Sequence, residues 1–249
     1  PISKVSVVIP VKDEEENIMS LAKEVEAAMT ELSLPWECLW IDDGSSDETA
    51  KIISDLSKET NSPHKLLSHE RCFGQSAAMA TGFRHSKGEI IVTLDGDGQN
   101  DPASIPNLVK TLMSEKADVV NGWRRKRQDN LIRKISSKIA NGFRNMLTGE
   151  KVRDVGCALR AMRKECLENI PVFKGMHRFL PTLIRISGHG KIIEIPVNHR
   201  PRTLGKTKYG VWNRLWVGIG DTMAVCWMKR RMVYPVLSSN KNKDKKNVD

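Results

Sequence analysis

"IIVTLDGDGQNDP", residues 90–102, joins an apolar run to a cluster of carboxylates and amides. Ile90 to Leu94 has the β-branched, apolar character of a strand buried on both faces. Asp101 and Pro102 then open a helix that carries Ile105, Leu108, Val109 and Leu112 at helical spacing. The acids therefore fall between a strand and a helix, at the strand's carboxyl end, which is where open α/β sheets bind their ligands.

Working outward, the same unit recurs along the chain. "VSVVI" at 5–9 precedes a helix with Ile18, Leu21, Ala22, Val25, Met29 and Leu32 on one face. "CLWI" at 38–41 precedes "SDETAKIISDLSKE", in which Asp47 is placed to cap and Ile52, Ile53 and Leu56 form an apolar stripe. "KLL" at 65–67 leads into a helix from about Gly74 to Ser86, with Gly88 expected as a left-handed terminus. "ADVVN" at 117–121 reads as a further strand. Alternation of this kind specifies an α/β fold: a mostly parallel sheet with helices on both faces. A length of 249 residues, 39% hydrophobic, supports one principal domain.

The chain holds 40 Lys+Arg against 30 Asp+Glu, a net charge of +10, which points to anionic partners: nucleic acid, anionic lipid or phosphorylated substrates. With 5% aromatic residues, it lacks the interleaved rings that stack on bases, so no nucleic acid is expected. Cysteines at 38, 72, 157, 166 and 226 form no C-x-x-C pair, which suggests neither a zinc site nor a disulfide framework and fits a reducing, cytosolic setting. The chain starts almost at once with a strand-like run and shows no apolar leader, so secretion is not expected. The six histidines have no evident nucleophile partner, which argues against a hydrolase triad.

"DDGSSD" at 42–47 and "DGDGQ" at 95–99 both follow strands, so Asp42, Asp43, Asp95 and Asp97 are expected to converge on one rim. Carboxylates so placed repel one another unless a cation sits among them, and hard oxygen donors suit Mg²⁺ or Mn²⁺. In an extended chain Asp95, Asp97 and Gln99 share one side. Such an ion would bridge to nucleotide phosphates and stabilise a departing diphosphate.

From "VSVVIPVKDEEENI" through "EIPVNHRPRTLGKTKYG" the chain resembles the family 2 glycosyltransferases of GT-A fold, in their polyprenyl-phosphate, dolichol-phosphate-mannose-synthase-like branch. The resemblance implies that Pro10 and Glu14, with Asp42 and Asp43, contact the nucleoside of a nucleotide-diphosphate sugar. It gives the metal and diphosphate role to Asp95, Asp97 and Gln99, the last two as the most direct ligands. Within "GWRRKRQDNLIRKISSKIANGFR" at 122–144, it assigns Arg124, Arg133 and Ser137 to the phosphate of a polyprenyl phosphate acceptor, a task suited to arginine's planar fork. The segment "HRPRTLGKTKYG" at 199–210 matches the family's acceptor loop, with Arg200, Arg202, Lys206 and Lys208 closing over an anionic site. "DVGCALRAMR" at 154–163 also matches and puts Asp154 near the reacting sugar. His177 reads as structural. Cys72 departs from the asparagine usual ahead of "FGQSAA".

The implied reaction is inverting transfer of the sugar to the lipid phosphate, with Asp97, Asp154, Arg202 and Lys206 closest to the chemistry. Q-x-x-R-W, the signature of processive polysaccharide synthases, is absent. The alternatives are a saccharide hydroxyl as acceptor, or a non-catalytic basic module binding membrane or nucleic acid. Residues 1–210 form the expected catalytic domain and 211–235 an amphipathic helix. The lysine-rich 236–249 is expected to be disordered. Trp212, Leu215, Trp216, Ile219, Met223, Cys226 and Trp227 line one stripe of that helix, beside Arg214 and the 229–231 cations. This is the pattern of a helix lying in a lipid interface, and it falls short of the ~20 apolar residues needed to span a bilayer. A peripheral position on the cytosolic membrane face is therefore expected, with a membrane-protein partner as a further possibility.

Overall fold

The computed structural model describes residues 4–124, 152–201 and 211–234, with the backbone alone for 211–217 and 219. Its elements in chain order are β1 (Val5–Val11), α1 (Glu15–Leu32), β2 (Trp36–Asp42), α2 (Thr49–Lys58), β3 (His64–Ser68), α3 (Gln75–His85) and β4 (Ile90–Thr93). There follow α4 (Ile105–Ser114), β5 (Val119–Arg124), β6 (Arg160–Arg163), α5 (Leu180–Ile186), β7 (Ile192–Val197) and α6 (Val211–Arg231). One seven-stranded sheet has the order β3-β2-β1-β4-β6-β5-β7.

All its ladders are parallel except those of β6, which runs antiparallel to both β4 and β5. Successive side chains along β1 and β2 go to opposite faces. Val7, Ile9, Cys38 and Trp40 join α1 and α4 in one core cluster. Val8, Leu39 and Ile41 join α3 and α5 in the other. Burial on both faces is why these strands read as continuous apolar runs, each large side chain contributing roughly 1.5–3 kcal/mol.

The apolar positions expected on α1 are all buried. Asp47 does reach the start of α2, accepting the Thr49 N–H at 3.0 Å, although Glu48 is the residue that flanks the helix. Gly88 differs from expectation. α3 ends on Ser86 in an extended conformation (φ −64°, ψ 138°). Gly88 is needed for space instead, because a Cβ there would meet the Ser6 backbone nitrogen at 2.6 Å. At that same end of the sheet, buried Glu37 accepts from Lys4, Lys65, the Ser6 hydroxyl and the Lys87 N–H.

α6 seats on the second core cluster through Val225, fully buried, with Met228 packed against it. Val225 lies outside the expected apolar stripe; of that stripe's described side chains, Met223 and Trp227 are each 64% exposed and Cys226 is half-buried. Among the described residues no helix is long and apolar enough to cross a membrane.

Candidate active site

The chain winds from β1 outward to β2 and β3, then returns past β1 to β4. The order therefore reverses between β1 and β4, and the crevice at their carboxyl ends is the ligand position of such a sheet. Two of the motifs meet there. A Cβ on Gly96 would lie 2.5 Å from Val11 Cγ1 and 3.2 Å from the Pro10 carbonyl oxygen, so only glycine lets the loop after β4 close on the end of β1.

The ends of β1 and β2 are laced together by side chains. Asp13 and Glu14 donate their N–H groups to Ser45 Oγ and Thr49 Oγ1, each at 2.9 Å. Asp13 Oδ1 accepts from the Ser46 N–H at 2.7 Å, and Glu15 Oε2 from the Glu48 N–H at 2.8 Å. The Glu14 carboxylate accepts from Asn17 Nδ2 at 2.7 Å.

Asp42, Asp43, Asp95 and Asp97 all sit at carboxyl strand ends, but no three of them bring ligand atoms within 4.8 Å of one another. Asp42 is buried and accepts from the Ser45 N–H. The buried Asp43 carboxylate takes the Phe73 N–H at 2.8 Å, the Gly74 N–H at 2.7 Å, His69 Nδ1 at 2.9 Å and the Cys72 thiol at 3.1 Å. Burial alone would raise its pKa, but those four partners outweigh burial and hold the carboxyl below its usual value. Asp43 therefore clasps the 69–74 loop, and Cys72, where asparagine was usual, keeps a polar contact.

Asp95, Asp97 and Gln99 are half-buried in one loop. Gln75 Nε2 at the start of α3 donates to Asp95 Oδ1 at 2.7 Å, and the Gln99 N–H donates to Asp97 Oδ1 at 3.1 Å. Two carboxylates and an amide form an all-oxygen donor set. It fits Mg²⁺ or Mn²⁺, ions that are commonly held by one or two carboxylates together with substrate phosphates.

On the far side of β6, Arg124 closes β5 and faces Asp154. Its Nε and Nη2 grip the two carboxylate oxygens at 2.7 and 2.8 Å, and its own N–H adds a third bond at 3.2 Å. The residues expected on the acceptor phosphate and near the sugar are thus partners of each other. Beneath them lies Arg160, which is 2% exposed. His177 donates to or accepts from Ser76 Oγ at 2.9 Å, and its pKa is pushed down to about 3 by burial and by Arg178 and Arg160, so its ring is neutral.

Arg200 differs from its expected role as a lid cation. Its guanidinium pairs with Glu24 at 2.7 Å and Asp101 at 2.9 Å. Its N–H donates to the Gln99 carbonyl, and Asn100 bridges His199. Arg200 therefore pins the base of the 199–210 segment to the acidic loop. Arg133, Ser137, Arg202, Lys206 and Lys208 lie outside the described residues. Gln75, His69 and Arg160 carry no sequence signal as strong as the acidic motifs. Arg160 alone had a hint, as a single cation inside the apolar run "ALRAM".

A doubly wound sheet with its acidic loop at the reversal of strand order, and one antiparallel strand inserted beside it, is a nucleotide-sugar-transferase type of α/β domain, the GT-A fold. The family model described as Glycosyl transferase family 2 matches residues 6–171, and the chain belongs to that family. It is 42% identical over 209 residues to the undecaprenyl-phosphate 4-deoxy-4-formamido-L-arabinose transferases of Salmonella dublin and Salmonella choleraesuis. The match covers 84% of this chain and 63% of the length of each relative. Among solved structures, glucosyl-3-phosphoglycerate synthase from Mycobacterium tuberculosis in complex with Mn²⁺, uridine diphosphate and phosphoglyceric acid superposes with a TM-score of 0.69. The two are 20% identical, covering 94% of this chain and 80% of that one. The same synthase with Mg²⁺ and uridine diphosphate gives a TM-score of 0.67 at 19% identity, covering 91% and 79%. At these identities the likeness is one of fold.

Proposed function

We propose that this chain is an inverting glycosyltransferase that moves a sugar from a nucleotide-diphosphate sugar onto a polyprenyl phosphate at the cytosolic face of a membrane. The observation that carries the proposal is the position of two unlike sites on one rim: an all-oxygen acidic loop at the β1–β4 crevice, and the Arg124–Asp154 pair at the end of β5. The named activity of the 42% identical relatives supports the acceptor.

In this reading Pro10 and Glu14, with Asp42 and the loop that Asp43 clasps, receive the nucleoside. Asp95, Asp97 and Gln99 hold Mg²⁺ or Mn²⁺, which when bound neutralises charge on the leaving diphosphate. A phosphate nucleophile is already anionic near neutral pH, so positioning matters more than deprotonation. Arg124, Arg133 and Ser137 supply that positioning, and Asp154 fixes the Arg124 fork. Arg202, Lys206 and Lys208 close over the diphosphate, on a segment whose base Arg200 anchors. Attack from the side opposite the nucleotide inverts the anomeric carbon.

α6 supports the membrane placement. It buries Val225 in the domain and leaves Met223 and Trp227 exposed, ahead of Lys229, Arg230 and Arg231. An apolar surface with a cationic end suits an anionic lipid interface. Residues 1–210 and 211–235 then divide catalysis from lipid contact, and the same helix is open to a membrane-protein partner.

The test is a panel of labelled nucleotide sugars incubated with a short-chain polyprenyl phosphate and Mn²⁺. One of them should yield a chelator-sensitive polyprenyl-phosphate sugar of inverted anomeric configuration. Transfer to a saccharide hydroxyl instead, or to nothing, overturns the acceptor assignment.

A further inference from the structure

Arg160 is the largest buried charge in the described part of the domain, and its surroundings are unusual for a buried cation. It sits on β6, the antiparallel strand between the two parallel halves of the sheet. Its Nε donates to Asn121 Oδ1 at 2.7 Å, Nη1 to the His177 carbonyl at 3.0 Å, and Nη2 to the Val155 carbonyl. All three acceptors are neutral oxygens, and among the described residues no carboxylate forms an ion pair with it. Burial depresses its pKa, while Cys157, Asp154 and Asp95 act in the opposite direction through space.

For stability alone, a charge in this setting is a poor choice. Desolvating a guanidinium costs several kcal/mol, and an apolar side chain of similar volume commonly serves a core at least as well. What Arg160 does supply is a rigid fork reaching three separate segments: β5 at Asn121, the loop that carries Asp154, and the turn at Met176–Arg178. Asn121, which accepts from Arg160, donates in turn to the Asp154 carbonyl at 3.1 Å and to the Gly122 carbonyl at 3.0 Å. The peptide groups on both sides of Val155 are therefore held, Asp154–Val155 by Asn121 and Val155–Gly156 by Arg160. Asp154 then fixes both Nε and Nη2 of Arg124.

We infer that Arg160 is a positioning residue for the acceptor side of the reaction: it locks the Asp154 loop, and through Asp154, which holds Nε and Nη2, it sets how the Arg124 guanidinium is presented to the acceptor phosphate. The inference rests on the proposed polyprenyl phosphate acceptor. It assigns Arg160 no contact with substrate. It also separates the two substrates, because the β1–β2 ends that receive the nucleoside are laced by Asp13, Glu14, Ser45, Ser46 and Thr49, none of which touches Arg160.

Two variants of the full chain test it. Arg160→Lys keeps the charge and loses the fork. Asn121→Asp keeps an acceptor for Arg160 and loses the donor to the Asp154 carbonyl. With a short-chain polyprenyl phosphate and the nucleotide sugar used by the unmodified chain, each should raise the acceptor KM by about 10- to 100-fold, the scale of a misplacement near 1 Å. The donor KM should stay within about twofold, as should donor hydrolysis in the absence of acceptor. A residue that served folding alone would lower kcat in proportion to the folded fraction and leave both KM values unchanged. Unmodified chain that transfers normally, with an unchanged acceptor KM in both variants, or with donor and acceptor KM rising together, overturns the inference alone. Failure of the unmodified chain to use any polyprenyl phosphate overturns the acceptor assignment, and the inference falls with it.

Discussion

Replacing Asp43 by alanine should damage the fold before it damages nucleotide contact. The carboxylate satisfies the Phe73 and Gly74 N–H groups at 2.8 and 2.7 Å, and alanine leaves both without that partner. A buried orphan donor costs ~1–3 kcal/mol. Arg71, Cys72 and Phe73 are exposed, so water can reach part of the loop, and the low end of the range applies to each donor. The sum is about 2 kcal/mol, which for a domain of this size lowers Tm by about 4–8 °C. Asparagine retains one acceptor oxygen and turns a donor toward the other N–H, so Asp43→Asn should lose about half as much. Thermal unfolding followed by circular dichroism measures both, and calorimetric titration with a nucleoside diphosphate measures the site. The expected pattern is a graded fall in Tm, aspartate above asparagine above alanine, with nucleotide affinity weakening in the same order. An Asp43→Ala chain that melts with the unmodified protein yet no longer binds nucleotide would refute the clasp and return Asp43 to direct contact with the nucleoside.

Asp97→Ala should abolish metal-dependent transfer while leaving Tm within a degree or two, and turnover that persists in excess EDTA would contradict the oxygen donor set assigned to the acidic loop. Glu37 is held at about 2, below its ordinary 4.5, by Lys65, the Lys87 N–H, Ser6 and Lys4 acting against burial. A depressed carboxyl contributes stability in full above its unfolded pKa and loses it as pH falls toward the folded one, so the contribution should fade between pH 4.5 and about 2. Glu37→Gln should therefore flatten the acid limb of a Tm-against-pH curve over that window and lower Tm at neutral pH, whereas parallel curves would contradict the pairing. Replacing Met223 and Trp227 together by serine should release the chain from anionic liposomes with little change in Tm, since each is 64% exposed, and undiminished co-sedimentation would remove α6 from the membrane surface.

The strand and helix alternation was legible because β1, β2 and β4 are buried on both faces and α1 and α4 on one, so their periods are written in apolar residues. The acidic loops were legible as motifs, and their strand-end placement followed from the alternation. Their individual uses did not. Asp42 and Asp43 look alike in "IDDGSSD", and only the three-dimensional approach of the 69–74 loop shows that Asp43 is occupied by four donors. β6 escaped because four residues, two of them arginine, carry no strand period of their own; it is a strand by virtue of β4 and β5 on either side. Arg160 was hidden for the same reason, since its role depends on bringing together segments 39, 17 and 5 residues distant.

The insertion of β6 also fixes an order of assembly. Among the described residues, β1 to β4 pair with one another before residue 160 is made, and can close as a four-stranded parallel unit while the rest of the chain is still being synthesised. β5 has no such option among the described residues, because its ladder partners there are β6 and β7, both later in the chain. A nascent chain that has reached Arg124 therefore carries a Val119–Val120 edge whose ladder partners among the described residues have not yet been made. Pairings of long sequence separation are the slow ones in folding. For this protein the vulnerable interval in the cell is a stretch of translation, and slowing it between β5 and β6 would lengthen the time that edge stays open to other chains.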